Sequence, residues 1–180
     1  VGAVELQSEP ASLPASWSVV TTNSDDLNGF DVGGISLREA LAYATNDETI
    51  TFDPSLASQT ILLTNGELMV GKNLTVIGSG SGIQINGNHT SRIFEFASGT
   101  TNTLVELILT NGYASVEVFA DTPADCGGAI YLTNATLTVS NCTIAGNSAG
   151  AGGGIYAAYG MFICDRSTIA GNSITNGFGA

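Results

Sequence analysis

A duplicated segment dominates the second half of the chain. CGGAIYLTNATLTVSNCTIAGNSAG, beginning at Cys126, is followed directly by AGGGIYAAYGMFICDRSTIAGNSIT, beginning at Ala151. The offset of about 25 residues is the mark of a repeat whose units stack on one another. It equates Ile130-Tyr131 with Ile155-Tyr156, and Thr143 through Ser148 with Thr168 through Ser173. Leu137, Val139, Cys142 and Ile144 fall opposite Phe162, Cys164, Ser167 and Ile169. Looser copies stand upstream as NLTVIGSGSG and LVELILTNGYAS, with Val76 and Leu109 in the place of Ile144. Their spacing is longer, about 33 to 35 residues, which loops of variable length explain.

Each unit holds three short β-runs with Gly or Asn at the corners and no helix. One such unit cannot bury its own apolar face, so successive units must stack with equivalent strands about 4.8 Å apart. The spacing predicts an all-β parallel β-helix, a solenoid of about five or six coils from Thr49 onward. Alternation places Ile130, Leu137, Val139 and Ile144 inside and Tyr131, Thr136, Thr138 and Thr143 outside. Asn147 and Asn172 recur at a corner, where Asn tolerates left-handed backbone and bonds along the stack to its equivalent.

Two stretches precede the β-runs. Residues 1–16 hold two of the four prolines and read as an extended arm or linker, leaving 17–180 as the folded domain. The one helix expected, about 36–46, opens with Ser36 and Glu39 in capping-box spacing. Leu37, Ala40, Leu41 and Ala44 form its apolar stripe.

Composition narrows the function classes. The chain has 16 acidic and 4 basic side chains, a formal net charge of −12, and is 43% hydrophobic. Nucleic acid is excluded as a partner, because phosphate contacts need a Lys/Arg surface. No apolar run is long enough for a spanning helix, so membrane insertion is not expected. A start at Val1 rather than Met fits removal of a leader peptide from a secreted chain. Three cysteines, Cys126, Cys142 and Cys164, cannot all pair. Cys142 and Cys164 read as small core residues, and a Cys126–Cys142 bridge stays open.

ISLREAL (Ile35–Leu41), DETITFDPSL (Asp47–Leu56) and NLTVIGSG (Asn73–Gly80), continuing into GGAIY and GNSA, carry a family resemblance. The chain resembles bacterial secreted right-handed β-helix proteins with a CSLREA-type N-terminal motif, and the repeats of polymorphic outer-membrane proteins and adhesin-like surface proteins. Ile35 stands where that signature has Cys. The resemblance implies right-handed winding, a capping role for the SLREA helix, export and display at the cell surface.

Chemistry-bearing candidates are sparse. β-helices that cleave polysaccharides need clustered carboxylates beside a cation. Here Asp165 falls opposite Ser140 and Arg166 opposite Asn141, while Asp121 and Asp125 lie in an insertion and His89 is an ordinary loop residue. No catalytic residue is assigned and no cofactor is expected. Asp25, Asp26, Asn28 and Asp31 gather hard oxygens over a short span, as a calcium loop does. Thr136 and Thr138 suggest an ice-binding array, which Met161 and Ile163 interrupt.

Met161-Phe162-Ile163-Cys164 is apolar on both faces of a strand that should alternate, and such a strand is normally covered on both sides. Tyr156, Tyr159, Val116, Val118, Phe119 and Phe178 extend the candidate interface. A last coil without a polar cap leaves strand edges that template further pairing. The expectation is a secreted, non-catalytic structural or interaction β-helix. It is either an extracellular fibre subunit assembling with itself head-to-tail or an adhesin domain binding a host or cell-surface ligand. The alternative is a β-helix that binds or cleaves polysaccharide and uses Tyr131 and Tyr156 as exposed stacking surfaces.

Overall fold

A computed structural model describes residues 17–29, 33–80, 82–114 and 123–175. The chain passes through three parallel sheets in a fixed rotation. The first is ordered β1 (Val19–Val20), β2 (Glu48–Phe52), β5 (Leu74–Ile77), β8 (Thr101–Val105), β11 (Thr136–Ser140) and β15 (Met161–Asp165). The second is ordered β3 (Thr60–Leu62), β6 (Ile83–Asn86), β9 (Leu107–Thr110), β12 (Thr143–Ala145) and β16 (Thr168–Ala170). The third is ordered β4 (Leu68–Val70), β7 (Phe94–Phe96), β10 (Ile130–Thr133) and β14 (Ile155–Ala158). A short pair, β13 (Ser148–Ala149) with β17 (Ser173–Ile174), follows the second sheet in the last two passages. One passage through the sheets is a tier.

Sequence offsets between tiers follow the loops. Inter-tier hydrogen bonds span 28 residues at Leu74–Asn102, 35 at Gly112–Asn147 and 25 at Asn147–Asn172. The pairing of the duplicated units agrees with the repeat: Leu137 opposes Phe162, Val139 opposes Cys164 and Ile144 opposes Ile169. The upstream alignment needs correction. Val76 opposes Leu104, which opposes Val139, so it belongs to the first sheet. The Ile144 column continues instead through Leu109, Ile85 and Ile61.

Inward positions form buried columns, among them Ile50–Val76–Leu104–Val139 and Leu68–Phe94–Ile130. Each fully buried side chain contributes about 1.5–3 kcal/mol of transfer free energy. One inward column is interrupted by a polar residue: Asn102 lies between Leu74 and Leu137 and is buried. Its Oδ1 accepts from the Leu74 N–H at 2.8 Å, and its Nδ2 donates to Thr100 Oγ1 at 2.9 Å. A buried amide is tolerated there because both ends are satisfied.

Corners repeat by column as well. Ser58 (φ 59), Gly82 (φ 76), Glu106 (φ 56), Asn141 (φ 53) and Arg166 (φ 43) each sit one or two residues before a second-sheet strand, all in left-handed backbone. At the next corner the left-handed residue is Gly146, not Asn147 as the Asn pattern suggests. The expected bond between equivalents is present: Asn147 donates from Nδ2 to Asn172 Oδ1 at 2.9 Å. Gly153 is required by close approach, since a Cβ there would collide with the Ser173 backbone of the next tier.

The first tier is flanked by the only α-helix among the described residues, α1 (Leu37–Tyr43). Its capping box forms as expected, with Ser36 Oγ accepting from the Glu39 N–H and Glu39 Oε2 accepting from the Ser36 N–H. The helix is shorter than the predicted 36–46, because Ala44 (ψ 147) already leaves helical geometry. Lys72 Nζ donates to the carbonyls of Ala42 and Ala44 at 2.8 and 2.6 Å, placing a cation at the negative end of the helix.

Asn102→Ala should lower stability by about 1–3 kcal/mol, because it leaves the buried Leu74 N–H without an acceptor. Urea unfolding checks this: the midpoint should fall while the slope is unchanged.

Candidate functional site

Outward positions also run in columns, and these locate the first candidate surface. One first-sheet column reads Thr49, Thr75, Thr103, Thr138 and then Ile163. The column beside it reads Thr101, Thr136 and then Met161. The preceding corner reads Gly99 (φ 82), Asn134 (φ 49) and then Tyr159 (φ 55). All three columns change from small or polar to large and apolar at the same tier. Met161 is 57% exposed, Ile163 42% and Tyr159 91%. A bulky residue in left-handed backbone carries strain of about 1–3 kcal/mol, and Tyr159 recovers almost none of it by burial.

Inward residues of the same tier are also open. Cys164 is exposed although its column partner Val139 is fully buried, and Ile169 and Ile174 are 45% and 60% exposed. The outer edges of β14, β15, β16 and β17 have no partner strand among the described residues. Residues 155–175 thus present apolar side chains both sideways and end-on.

The second candidate surface lies on the outer face of the third sheet, where Met69, Glu95, Tyr131 and Tyr156 share a column. Arg92 is buried beside it, with Nη1 2.8 Å from Glu95 Oε2 and 3.2 Å from Glu67 Oε2. Its guanidinium lies 4.8 Å over the Tyr131 ring, whose other neighbour is Tyr156 at 5.6 Å, nearly parallel. Burial raises the Glu67 carboxyl above its ordinary range, Arg92 opposes that, and Glu95 adds to it. Burial, followed by the Glu95 charge, raises the Tyr131 phenol as well. Tyr131 was expected outside and exposed; it is buried, because Arg92 and Tyr156 flank its ring. Tyr156 is half-buried in the same stack.

The predicted calcium loop is put together differently. Asp25 is buried, with Oδ1 2.7 Å from Arg38 Nε and Oδ2 accepting from the N–H groups of Thr64 and Asn65 at 2.7 and 2.8 Å. Its carboxylate is therefore saturated by the protein. Asp26 accepts at its carbonyl from Ser36 Oγ, and Asn28 is exposed. Asp31 lies outside the described residues, as do Val116, Val118, Phe119, Asp121 and Phe178. Among the described residues no group of three or more His, Cys, Asp or Glu side chains is arranged to hold a metal ion. Nor is any helix there long and apolar enough to cross a membrane. His89 is an exposed turn residue. Cys126 and Cys142 are buried and form no disulfide with each other, and burial raises the Cys142 thiol. A shallow cavity of about 290 Å³ is lined by Gly82, Glu106, Asn141 and Thr143 but brings only one carboxylate.

The raised Glu67 carboxyl has a definite pH signature. The folded state holds that proton to higher pH than the unfolded chain does, so the contribution is fully favourable below the unfolded value near about 4.3 and is lost as pH rises through the folded one. Glu67→Gln removes the titration. Its melting temperature relative to wild type should therefore climb as pH increases from about 4 to neutrality; a pH-independent difference would refute the assignment. No protein-family model, curated protein or solved structure matches this chain.

Proposed function

We propose that the three sheets close into a right-handed parallel β-helix, and that the protein is a secreted, non-catalytic structural subunit acting by assembly through its last described tier. The carrying observation is the coincident outward change at that tier: Thr to Met161, Thr to Ile163 and Asn134 to Tyr159. Outward apolar side chains add little to the folding of their own chain, because the four-tier Thr column shows what the sheet itself accepts there. They favour association, since apolar area removed from water is the main driving force between like-charged subunits. An extracellular filament or cell-surface layer uses such a contact between copies, and an adhesin uses it on a cell-surface ligand.

Restoring the column residues tests this without disturbing the fold. Met161→Thr with Ile163→Thr should leave the melting temperature nearly unchanged and weaken self-association by about tenfold or more. Light scattering across a concentration series, with electron microscopy of the concentrated sample, reads both. A wild-type chain that neither associates nor binds cells would refute the proposal.

A polysaccharide-binding reading rests on one observation, the Glu67–Arg92–Glu95 cluster beside Tyr131 and Tyr156. It requires retention on an acidic or neutral glycan panel that Tyr156→Ala abolishes.

A further inference from the structure

The outer face of the first sheet carries a pattern that folding of the sheet does not require. Its outward positions are Thr49 and Thr51 on β2, Thr75 and Ile77 on β5, Thr101, Thr103 and Val105 on β8, and Thr136, Thr138 and Ser140 on β11. The column that starts at Thr49 keeps threonine through four successive tiers, although the loops between them differ in length. The Thr-x-Thr of β11 is interrupted at β15, and it continues in the opposite direction through β8 to β2. Strand propensity accounts for a single threonine, but it acts alike on all three sheets. Across the same tiers an outward second-sheet column reads Thr60, Gln84, Ile108 and Thr143, and the third-sheet column reads Met69, Glu95 and Tyr131. Of the three, only the first-sheet column is uniform.

The ladders set the geometry of the array. Parallel pairing places successive tiers about 4.8 Å apart, and Thr-x-Thr along one strand places neighbours about 6.6 Å apart. Each strand that bears the array is paired on both edges. Threonine is stiff about χ1, so hydroxyl and methyl are held on this grid with little rotamer freedom left to lose. Among the described residues only the Thr51 hydroxyl meets a protein acceptor, the Ser18 carbonyl at 3.4 Å, so the other threonine hydroxyls face water. No outward position of β2, β5, β8 or β11 is charged or aromatic. On a molecule of net charge −12 this face offers nothing to an ionic partner and no ring on which a sugar could stack. Its complement is uncharged, rich in hydrogen-bonding groups and regular in two directions.

We propose that the threonine face of the first sheet binds ice. The oxygen repeats on a prism face of hexagonal ice lie within about a tenth of the two threonine spacings. Hydroxyls on the grid take the place of lattice waters, and the methyls between them displace poorly ordered water. Stiff side chains on paired strands meet the lattice without first being ordered, which lowers the cost of binding. A bound chain blocks growth beneath it, so the crystal surface advances only between bound chains and becomes curved, which lowers the temperature at which it grows. One chain presents the whole array, so this activity is separate from assembly through Met161 and Ile163.

Single ice crystals grown in a solution of the full 180-residue chain should become faceted, and their freezing point should fall below their melting point. Recrystallisation in a frozen film of the same solution should be arrested. Thr103→Lys with Thr138→Lys, at outward positions whose hydroxyls bond nothing in the protein, should abolish both effects with native circular dichroism retained. Thr101→Lys, at an exposed position of the same face, should weaken both and tests the face without touching a half-buried site. Thr143→Lys with Thr168→Lys adds the same charge to the outer face of the second sheet and should leave both unchanged. Round crystals without a freezing gap in the wild-type chain overturn the proposal. Activity that survives the first-sheet substitutions, or is lost equally in the second-sheet pair, overturns it as well.

Discussion

Backbone pairing between tiers is the interaction on which everything else depends. No strand described here pairs within its own tier; every ladder joins one passage to the next, and all are parallel. A tier therefore has no stability apart from its neighbours, and the ends of the stack are where special residues become necessary. At the first tier the requirement is met by one compact device. Asp25 and Arg38 form an ion pair in which both side chains are largely buried, and burial of charge costs free energy unless the remaining donors and acceptors are filled. Here they are filled by backbone groups of residues 64–67. The pair is less a source of stability than a template that converts ragged loop backbone into a closed surface.

Column membership, rather than residue identity, explains how such different sequences share a structure. The left-handed corner column holds Ser58, Gly82, Glu106, Asn141 and Arg166. Only glycine adopts that backbone without steric cost, yet four of the five are not glycine. The neighbouring tiers determine the turn, and each residue bears the strain of a position it did not choose. Inward columns are stricter. Asn102 is accepted among leucines because the Leu74 N–H needs an acceptor there, and the Asn147–Asn172 ladder persists because each amide serves two tiers.

These rules decide what could be read in advance. The duplicated units gave their own register, since Ile144 against Ile169 follows from a period without insertions. The capping box was equally legible, because it depends on residues three apart. Spacing misplaces Val76 because its true partner is Leu104, 28 residues on, rather than Leu109, and a shift between sheets is invisible to spacing alone. Local spacing makes the Asp25 carboxylate look like a calcium ligand because its actual partners lie in residues 38, 64 and 65. Arg92 with Glu67 and Glu95 escaped for the same reason. Extending the third-sheet register upstream from Tyr131 to Glu95 would have exposed it.

The outward change at the last described tier needs a cause outside that tier's own folding. Threonine and isoleucine have similar preferences for strand backbone, so replacing one by the other at Ile163 gains nothing from the sheet. Tyr159 is costlier still, since the same corner accommodates Gly99 and Asn134 more easily and the tyrosine ring remains almost entirely in water. In the two Thr columns of the first sheet and the corner before them the change falls at one tier, within the stretch of chain that carries no net charge, while Leu62 and Met69 are exposed on the first tier as well. A neutral, apolar surface on a strongly acidic molecule is where an approaching acidic partner meets the least charge repulsion.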